Sequence, residues 1–312
     1  MDPYRISTVK NPYGVFSFLS NDEFIGAFLK AGRLWDEYVV RYARPLLRRD
    51  DVVLDVGAHV GCFAIAMATQ CRTVYAFEAQ HVLHELLLRN LSGNRVANVV
   101  AINVAIGDQA GYARLNRDLL DGTRRVLAYD TMEPTNYGGV AVEASAGQTD
   151  LRMATIDSLG LAPFMIKIDV EGFEDFVVAG ALGTIEACKP VIVYERNFKH
   201  RTPNEAADLE VALAAKYDRP WRIGEGSDYV LYPLHPLGVP SELSDGLGSR
   251  IAVEDRNLWI TNAGRLRGPF RLFTPRIGCL RVHLTDVGRI MDGAVAWRSI
   301  RWNDGTTWTA ST

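Results

Sequence analysis

Short apolar runs along the chain alternate with segments of helical periodicity. The run at 51–56 is followed by a glycine turn and by good helix formers at 63–68. A second run at 73–77 precedes valine and leucines at helical spacing, and this helix is expected to end near 90–94. A third run covers 99–106. This alternation is typical of a parallel sheet covered by helices on both faces.

The alternation of strands and helices is interrupted at 108–150. This segment is rich in Gly, Asp, Thr and Tyr and is predicted to be loop with short strands. It resumes with a strand at 164–170, a helix at 174–187 and a strand at 190–194. Later elements are weaker: a helix at 204–216 and strands at 280–284 and 295–302. Residues 22–47, ahead of the first run, are predicted to be helical.

These patterns predict an α/β fold: a doubly wound, Rossmann-like and mostly parallel sheet. A helical extension precedes the sheet and a small β-rich extension follows it. The expected boundaries are an N-terminal extension at 1–50, a main domain at 51–200, its C-terminal part at 201–264 and the β-rich extension at 265–312.

Composition excludes several classes of protein. The net charge of -3 does not indicate a Lys/Arg-rich face for binding phosphates, so no nucleic-acid partner is expected. The four cysteines are far apart in the sequence, which argues against a zinc ribbon or a disulfide framework and favours the cytoplasm. The polar start lacks the layout of a secretory signal, and no apolar run reaches the roughly 18 residues that cross a bilayer, so no membrane partner is expected.

The strongest local signal is the turn between the first strand and its helix. Gly57 permits a backbone conformation closed to residues with a Cβ, and Gly61 lets the helix start approach sheet and ligand closely. Asp55, at the strand end, can accept hydrogen bonds from loop amides or from the ammonium of an amino-acid-like ligand. Glu78 ends the neighbouring strand, where nucleotide-binding sheets place the acceptor for two ribose hydroxyls.

The spacing of the glycines distinguishes between classes of nucleotide-binding protein. A Gly-x-Gly-x-x-Gly motif anchored at Gly57 would need glycines where His59 and Cys62 stand, which disfavours a nicotinamide oxidoreductase. The looser Gly-x-x-x-Gly suits a nucleoside without phosphates. The plain alternative is that Gly57 and Gly61 only form a tight turn between strand and helix.

Six segments, in order, resemble the FkbM family of S-adenosylmethionine-dependent methyltransferases. They are VLDVGAHVG at 53–61, YAFE at 75–78, NYGG at 136–139, TIDSL at 155–159, IKIDVEGFE at 166–174 and KPVIVYE at 189–195. The likeness runs from about residue 13 to 197, and more weakly to about 260. It implies a class I methyltransferase fold whose domain at 51–200 binds S-adenosylmethionine. His59 departs from the pattern, since relatives usually carry asparagine there.

The resemblance implies transfer of a methyl group to a hydroxyl oxygen, often on a sugar or a polyketide-type natural product. The expected partner is therefore a small-molecule or glycan acceptor, and residues 108–150 and the C-terminal part are expected to shape its specificity. The alternative is a non-catalytic nucleoside-binding module with a glycan-recognising tail. The residues expected to hold the cofactor are Asp55, Gly57, Ala58, His59, Gly61, Glu78, Ala79, Asn103 and Asp169.

Acidic residues after the central strand supply the expected catalytic groups. Asp169, at the carboxyl end of that strand, is the first candidate for the base or for orienting the acceptor, and Glu171 is expected to help. Glu174 has a plain explanation as a helix-start charge. Glu195 and Asn197 would lie beside Asp169 and could complete a Mg²⁺ site, but strand-end carboxylates more often cap helices or bind substrate, so no metal is expected.

Three further groups have two explanations each. Among the histidines, His59 and His200 lie near the expected crevice, and the others fit surface or core roles better. The NYGG segment at 136–139 forms either part of a lid over the acceptor or a tight turn. The final aromatic stripe provides either a sugar-stacking surface or the core of a small β-element. Its members are Trp297, Trp302 and Trp308.

Overall fold

The computed structural model describes most of the chain. The described residues are 4–120, 128–129, 131–196, 208–224, 226–235, 242–244, 249–254, 256–262, 265–277, 279–284, 289–296, 299–303 and 307–310. The chain divides into two compact units, the first formed by 1–213 with 220–230 and the second by 214–219 with 231–312. Among the described residues, no helix combines the length and apolar character needed to cross a membrane.

The first unit contains helices and strands in mixed order. In chain order they are β1 (Ile6–Asn11), β2 (Gly14–Leu19), α1 (Ile25–Lys30), α2 (Glu37–Ala43), β3 (Val52–Val56), α3 (Cys62–Ala68), β4 (Thr73–Phe77), α4 (His81–Gly93), β5 (Val99–Ile102), β6 (Ala105–Ile106), β7 (Gly111–Leu120), β8 (Val140–Ser145), β9 (Leu151–Ala154), β10 (Met165–Ile168), α5 (Glu174–Ala179), α6 (Leu182–Cys188), β11 (Val191–Glu195), α7 (Leu209–Leu213), β12 (Trp221–Arg222) and β13 (Asp228–Leu231). Two short 3₁₀ helices cover Arg44–Leu46 and Asp157–Leu159.

The second unit is built from strands. They are β14 (Glu242–Ser244), β15 (Arg250–Glu254), β16 (Asn257–Asn262), β17 (Arg265–Arg276), β18 (Cys279–Leu284), β19 (Arg289–Ala296), β20 (Ser299–Trp302) and β21 (Thr307–Ala310).

A seven-stranded sheet of order β12-β13-β11-β10-β3-β4-β5 forms the centre of the first unit. The strands from β11 to β5 run parallel, whereas β12 and β13 are antiparallel to each other, so the α/β class is confirmed and the sheet is mixed. From β3 the chain proceeds to β4 and β5 and then returns to β10 on the other side of β3. Such a reversal of strand order opens a crevice at the carboxyl ends of the strands.

Burial explains why the central strands are largely apolar in sequence. Every residue of β3 and every residue of α3 is buried. Removing one valine or leucine side chain from water contributes about 1.5–3 kcal/mol, so this strand and helix form a strongly stabilised pair below the glycine turn. The one polar side chain in β3, Asp55, is fully buried as well.

The N-terminal region differs from the predicted long helix at 22–47. It consists of the hairpin β1–β2 followed by two short helices, α1 and α2. The chain breaks between them at Gly32, whose φ of 77° is a left-handed conformation that ends a helix. Asn90 of α4 holds the hairpin by accepting the Ser17 N–H at 2.6 Å and donating to the Ser17 carbonyl at 3.0 Å.

Two predicted elements are divided in the structure. The strand expected at 99–106 splits into β5, in the main sheet, and β6, which pairs with β9. The helix expected at 174–187 splits at Gly180 into α5 and α6, because the backbone there passes close to another segment. A Cβ on Gly180 would stand 2.0 Å from the Gly107 carbonyl oxygen.

The segment predicted as loop with short strands contains a longer strand than expected. The ten-residue β7 pairs with β8 and β9, and with β6 these strands form a four-stranded sheet of order β6-β9-β7-β8. Its alternation was masked in the sequence by interspersed Gly, Asn and Asp residues.

The strands of the second unit close into an antiparallel barrel of order β14 to β21, with β14 and β21 paired through Leu243 and Ala310. The boundary predicted at 264/265 therefore falls inside the barrel, between β16 and β17. Trp302 is buried in the barrel core, which favours the core explanation for this aromatic. Trp297 and the side chain of Trp308 lie outside the described residues.

Candidate functional site

A cavity of about 780 Å³ lies at the carboxyl edge of the main sheet, within the first unit. This is a size typical of a site for a small organic ligand. Six of the residues predicted to form the site line it: Gly57, His59, Glu78, Ala79, Asp169 and Glu171. The other four lie outside the lining: Asp55, Ala58, Gly61 and Asn103.

The register of the parallel strands brings the central site residues into one row. Phe77, Val56, Ile168 and Tyr194 are paired across four neighbouring strands. The positions that come next along these strands are Glu78, Gly57, Asp169 and Glu195. Residues far apart in the sequence therefore meet at a single sheet edge.

Gly57 allows the turn after β3 to touch the end of β10. Its φ is 85°, and a Cβ at this position would stand 1.8 Å from the Asp169 carbonyl oxygen. The N–H groups of Gly57 and Ala58 both donate to the Phe77 carbonyl at 3.0 Å, which fixes the turn against β4. Any larger residue would push Asp169 away from the cavity.

Glu78 is held by backbone groups on both carboxylate oxygens. Oε2 accepts the His59 N–H at 2.7 Å, and Oε1 accepts the Gln80 N–H at 2.8 Å. Burial raises the pKa of Glu78 to about 7, although these two hydrogen bonds oppose the shift. Asn103 donates to the backbone carbonyls of Glu78 and Ala79 at 2.8 and 3.1 Å, so it positions the strand end from outside the lining.

A buried lysine, which the sequence analysis did not single out, connects two predicted site residues. Lys167 Nζ donates to Asp169 Oδ2 at 2.8 Å and lies 3.9 Å from Asp55 Oδ1. Burial opposes its charge, but the two carboxylates outweigh burial and raise the pKa of Lys167. Burial raises the pKa of Asp55 to about 6, and Lys167 opposes that shift. Lys167 could have been found from the sequence, because it is a charged residue inside the otherwise apolar strand MIKI.

One end of the cavity is strongly acidic. Asp169, Glu171 and Glu195 each place a carboxylate oxygen within 4.8 Å of the other two. Asp36 and Asp228 line the same cavity. Burial, with the negative charges of Asp169 and other neighbours, raises the pKa of Glu195 to about 10.

Asp36 and Asp228, the other acidic residues at this end, lie outside the six sequence segments that resemble a known family. Burial, assisted by the charge of Asp169, raises the pKa of Asp36 well above its usual value. Asp228 accepts a hydrogen bond from the Tyr38 hydroxyl, and burial raises its pKa to about 6. Asp36 and Asp228 were missed because an aspartate ahead of a helix, or in a turn-rich segment, has an ordinary explanation in sequence.

Glu174 shapes the turn that carries Glu171. Its Oε1 accepts the N–H groups of Val170 and Gly172 at 3.2 and 3.1 Å, and it does not line the cavity. Glu171 sits between these residues in a left-handed conformation with φ of 53°. The structural interpretation of Glu174 thus fits its contacts, while Glu171 faces the cavity.

His59 lines the cavity with no hydrogen-bond partner for either ring nitrogen among the described residues. Its Nε2 lies 3.9 Å from Asp22 Oδ2. Burial lowers the pKa of His59, so the imidazole is neutral near pH 7. His200 and Asn197, the other residues of interest here, lie outside the described residues.

The NYGG segment is both a tight turn and a cavity wall. Asn136 Oδ1 accepts the Gly138 N–H at 3.1 Å, and both residues line the cavity. Tyr137 is fully buried and stacks on Tyr129 with ring centroids 5.5 Å apart. Gln80 connects this segment to the turn after β4, because it donates to the Tyr137 carbonyl and accepts from the Tyr129 hydroxyl, both at 2.7 Å.

Comparison with known proteins identifies the family to which the chain belongs. The methyltransferase FkbM domain matches residues 55–218, which is more than half of the chain. The hexuronic acid methyltransferase AglP of Haloferax volcanii is 23% identical over 158 residues, which cover 51% of this chain and 61% of that protein. The chain thus spans less than two thirds of the length of this relative.

The solved structures that match part of the chain include two methyltransferases. Methyltransferase FkbM from Methylobacillus flagellatus KT has a TM-score of 0.41 and 16% identity, covering 62% of this chain and 47% of that one. The Pyrococcus abyssi tRNA (uracil-54, C5)-methyltransferase in complex with S-adenosyl-L-homocysteine has a TM-score of 0.33 and 16% identity, covering 61% and 34%. Because the methyltransferase FkbM domain covers more than half of the sequence, the protein belongs to the FkbM methyltransferase family.

Proposed function

We propose that this protein is a methyltransferase that uses S-adenosylmethionine and transfers its methyl group to a hydroxyl oxygen of a sugar, glycan or natural-product acceptor. The observation that carries the proposal is the row at the sheet edge, where Glu78, Gly57 and Asp169 follow paired strand residues and face one cavity. A nucleoside and an acceptor can both reach this row.

Glu78 supports the nucleoside half of the proposal. Each of its carboxylate oxygens accepts one backbone N–H and keeps further acceptor capacity, which suits the two ribose hydroxyls. Ala79 and Gln80 continue the same wall of the cavity. Gly57 provides the close backbone approach that a ligand lying across the strand ends requires.

Asp169 supports the transfer half. In the reaction a C–O bond forms to the acceptor, the C–S bond of the sulfonium breaks, and the acceptor hydroxyl loses its proton. Lys167 occupies Oδ2 of Asp169 at 2.8 Å and fixes the orientation of the carboxylate. The carboxylate can therefore orient the hydroxyl and receive its proton, with Glu171 next to it.

The acceptor class rests on a relative. AglP is named a hexuronic acid methyltransferase, and its 23% identity to this chain is the reason for placing sugars first among the acceptors. We therefore expect label from methyl-labelled S-adenosylmethionine to appear on a hexuronic acid or another sugar hydroxyl, detected by mass spectrometry. Label on nitrogen or carbon atoms of an acceptor would contradict O-methylation.

Calorimetry with S-adenosylmethionine and S-adenosylhomocysteine tests the cofactor. Failure of both to bind would remove the proposal. Asp169→Asn should keep the affinity for S-adenosylhomocysteine within about 3-fold and lower kcat about 10²- to 10⁴-fold, the usual contribution of a positioned base. Full turnover by this variant would exclude Asp169 from the chemistry.

A further inference from the structure

Aromatic side chains of the N-terminal region form part of the cavity wall. Phe28 lies on α1 and Trp35 precedes α2, and both line the cavity while half-buried. Their rings meet edge to face with centroids 5.1 Å apart, and Phe24 makes a similar contact with Trp35 at 6.2 Å. The C–H face of a sugar ring packs well on such rings, because their faces are apolar and carry the negative side of the ring quadrupole.

Two arginines border this aromatic wall. Arg33 and Arg41 line the same cavity, and both side chains are exposed. The guanidinium carbon of Arg33 lies 4.8 Å from the Phe28 ring centroid. Arg41 forms a salt bridge with Glu37, which also lines the cavity. Two guanidiniums and one carboxylate leave one positive charge in excess in this group.

The excess charge belongs to Arg33. Glu37 Oε1 accepts the Tyr13 hydroxyl at 2.7 Å and also an N–H of Arg41, so its contacts are directed away from Arg33. Within the described part of the chain, no carboxylate lies at ion-pair distance from the Arg33 guanidinium. A guanidinium presents a planar fork of N–H donors that matches the oxygens of a carboxylate or a phosphate. Arg33 is therefore available to an anionic ligand beside an aromatic ring.

The arginines are separate from the reacting groups. The charges that most affect the pKa of Asp36 are those of Asp169 and Lys167, whereas the charge of Arg33 acts on Glu37. The carboxylate of S-adenosylmethionine is joined to its sulfur by a short carbon chain, so it stays close to the reacting centre. A group bound by Arg33 is therefore assigned to the acceptor and not to the cofactor.

We propose that Arg33 and Arg41 bind an anionic group, a carboxylate or a phosphate, on the acceptor sugar. Phe28 and Trp35 pack on its ring. The inference rests on the proposed function and specifies its acceptor class as an acidic sugar. The acidic end of the cavity repels an anion, so a neutral hydroxyl of the sugar is admitted beside Asp169. The two charged regions thus orient the acceptor with a hydroxyl, and not its anionic group, toward the methyl group.

Ligand-observed NMR titrations of protein saturated with S-adenosylhomocysteine test the site without turnover. The probes are glucuronic acid and glucose-6-phosphate, and glucose is the neutral control. At least one anionic probe should bind about 10-fold or more tighter than glucose, the usual effect of hydrogen bonds to a charged group. The tighter of the two identifies the anionic group. Equal affinity for all three sugars, or no binding of either anionic probe, would overturn the proposal.

Substitutions in the charged group test the assignment to these residues. Arg33→Gln and Arg41→Gln should each reduce the preference for the anionic probe and leave the affinity for glucose unchanged. Glu37→Gln should increase that preference, because it removes the negative charge of the group. Arg114→Gln is the matched control: its side chain is 68% exposed against 74% for Arg41, and it pairs with Glu143 outside the cavity lining. A preference that survives both arginine substitutions would overturn the assignment.

Two measurements on the unaltered protein test the same charges. Raising NaCl from about 0.05 to 0.5 M should weaken binding of the anionic probe and not of glucose, because salt screens exposed charges. Absence of a salt effect would count against the arginines. Where glucuronic acid is methylated, the product must be an ether, which survives alkali. An alkali-labile methyl ester would place the carboxylate beside Asp169 and overturn the orientation.

The outcomes separate this inference from the proposed function. Arg33→Gln and Arg41→Gln should keep the affinity of the parent for S-adenosylhomocysteine. A loss of about 10-fold or more would assign the arginines to the cofactor carboxylate, which overturns the inference and leaves the methyltransferase proposal standing. Failure of the parent to bind S-adenosylhomocysteine would instead remove the proposed function.

Discussion

At the residue scale, the site depends on buried ionisable groups, and burial disfavours their charged forms. Glu78 is nearly inaccessible, and two backbone N–H groups only partly offset the cost of its ionised form. A ligand that donates hydroxyl protons to this carboxylate favours ionisation. Binding and deprotonation of Glu78 are therefore coupled.

This coupling predicts pH-dependent binding. With the pKa of Glu78 at about 7, about a tenth of the free protein has this carboxylate ionised at pH 6 and about nine tenths at pH 8. The affinity for S-adenosylhomocysteine should therefore rise up to about 10-fold over this range, with release of a proton. Calorimetry in buffers of different ionisation enthalpy measures both effects. Glu78→Gln should bind more weakly and lose the dependence; a pH-independent parent would contradict the role.

At the element scale, the strands of the main sheet were predictable and the segments around them were not. β3 and β10 are buried throughout, and β4 and β11 are largely buried, so apolar residues dominate their sequences. The hairpin β1–β2 and the strand β7 carry polar residues at half-exposed positions, which removes that signal. The splits at Asn103 and Gly180 depend on contacts with distant segments, which no local pattern records.

The same distinction applies to the site. Glu78 and Asp169 were predictable because each directly follows an apolar strand. Asp36 and Asp228 reach the cavity only through the packing of α2 and β13, and Lys167 gains its importance from its position opposite Asp55 in the strand pairing. Tertiary placement, rather than residue type, identifies these groups.

Gln80 connects the turn after β4 to the NYGG segment at 136–139, and its loss should make that segment more mobile. Gln80→Ala removes the hydrogen bonds to the Tyr137 carbonyl and from the Tyr129 hydroxyl. We expect faster amide hydrogen exchange at 136–140 and a raised KM for the acceptor, since Asn136 and Gly138 line the cavity. The variant keeps the backbone N–H that Gln80 donates to Glu78. Gln148→Ala, at an exposed position, is the control, and equal exchange in the two variants would contradict this linkage.

At the scale of the whole molecule, the family match and the two units divide the chain differently. The FkbM domain ends at residue 218, whereas the barrel strands run from Glu242 to Ala310. The cavity is lined entirely by residues of the first unit. The barrel has its own core around Leu243, Phe270 and Trp302. The catalytic proposal therefore rests on the first unit alone.

The buried acids of the first unit set how its stability responds to pH. Burial raises the pKa of Glu78 and Glu174 to about 7 and that of Asp55 to about 6, all above their unfolded values. The folded state binds more protons than the unfolded state between about pH 4 and 7, so these groups favour folding at low pH and this contribution is lost as pH rises through their folded pKa values. The Tm of the ligand-free protein should fall by at least about 5 °C between pH 5 and 8 in a thermal scan. Saturating S-adenosylhomocysteine should reduce that fall, because its hydroxyls stabilise ionised Glu78, and Glu78→Gln should reduce it without ligand. A Tm that rises over this range would show that other titrating groups outweigh the buried acids.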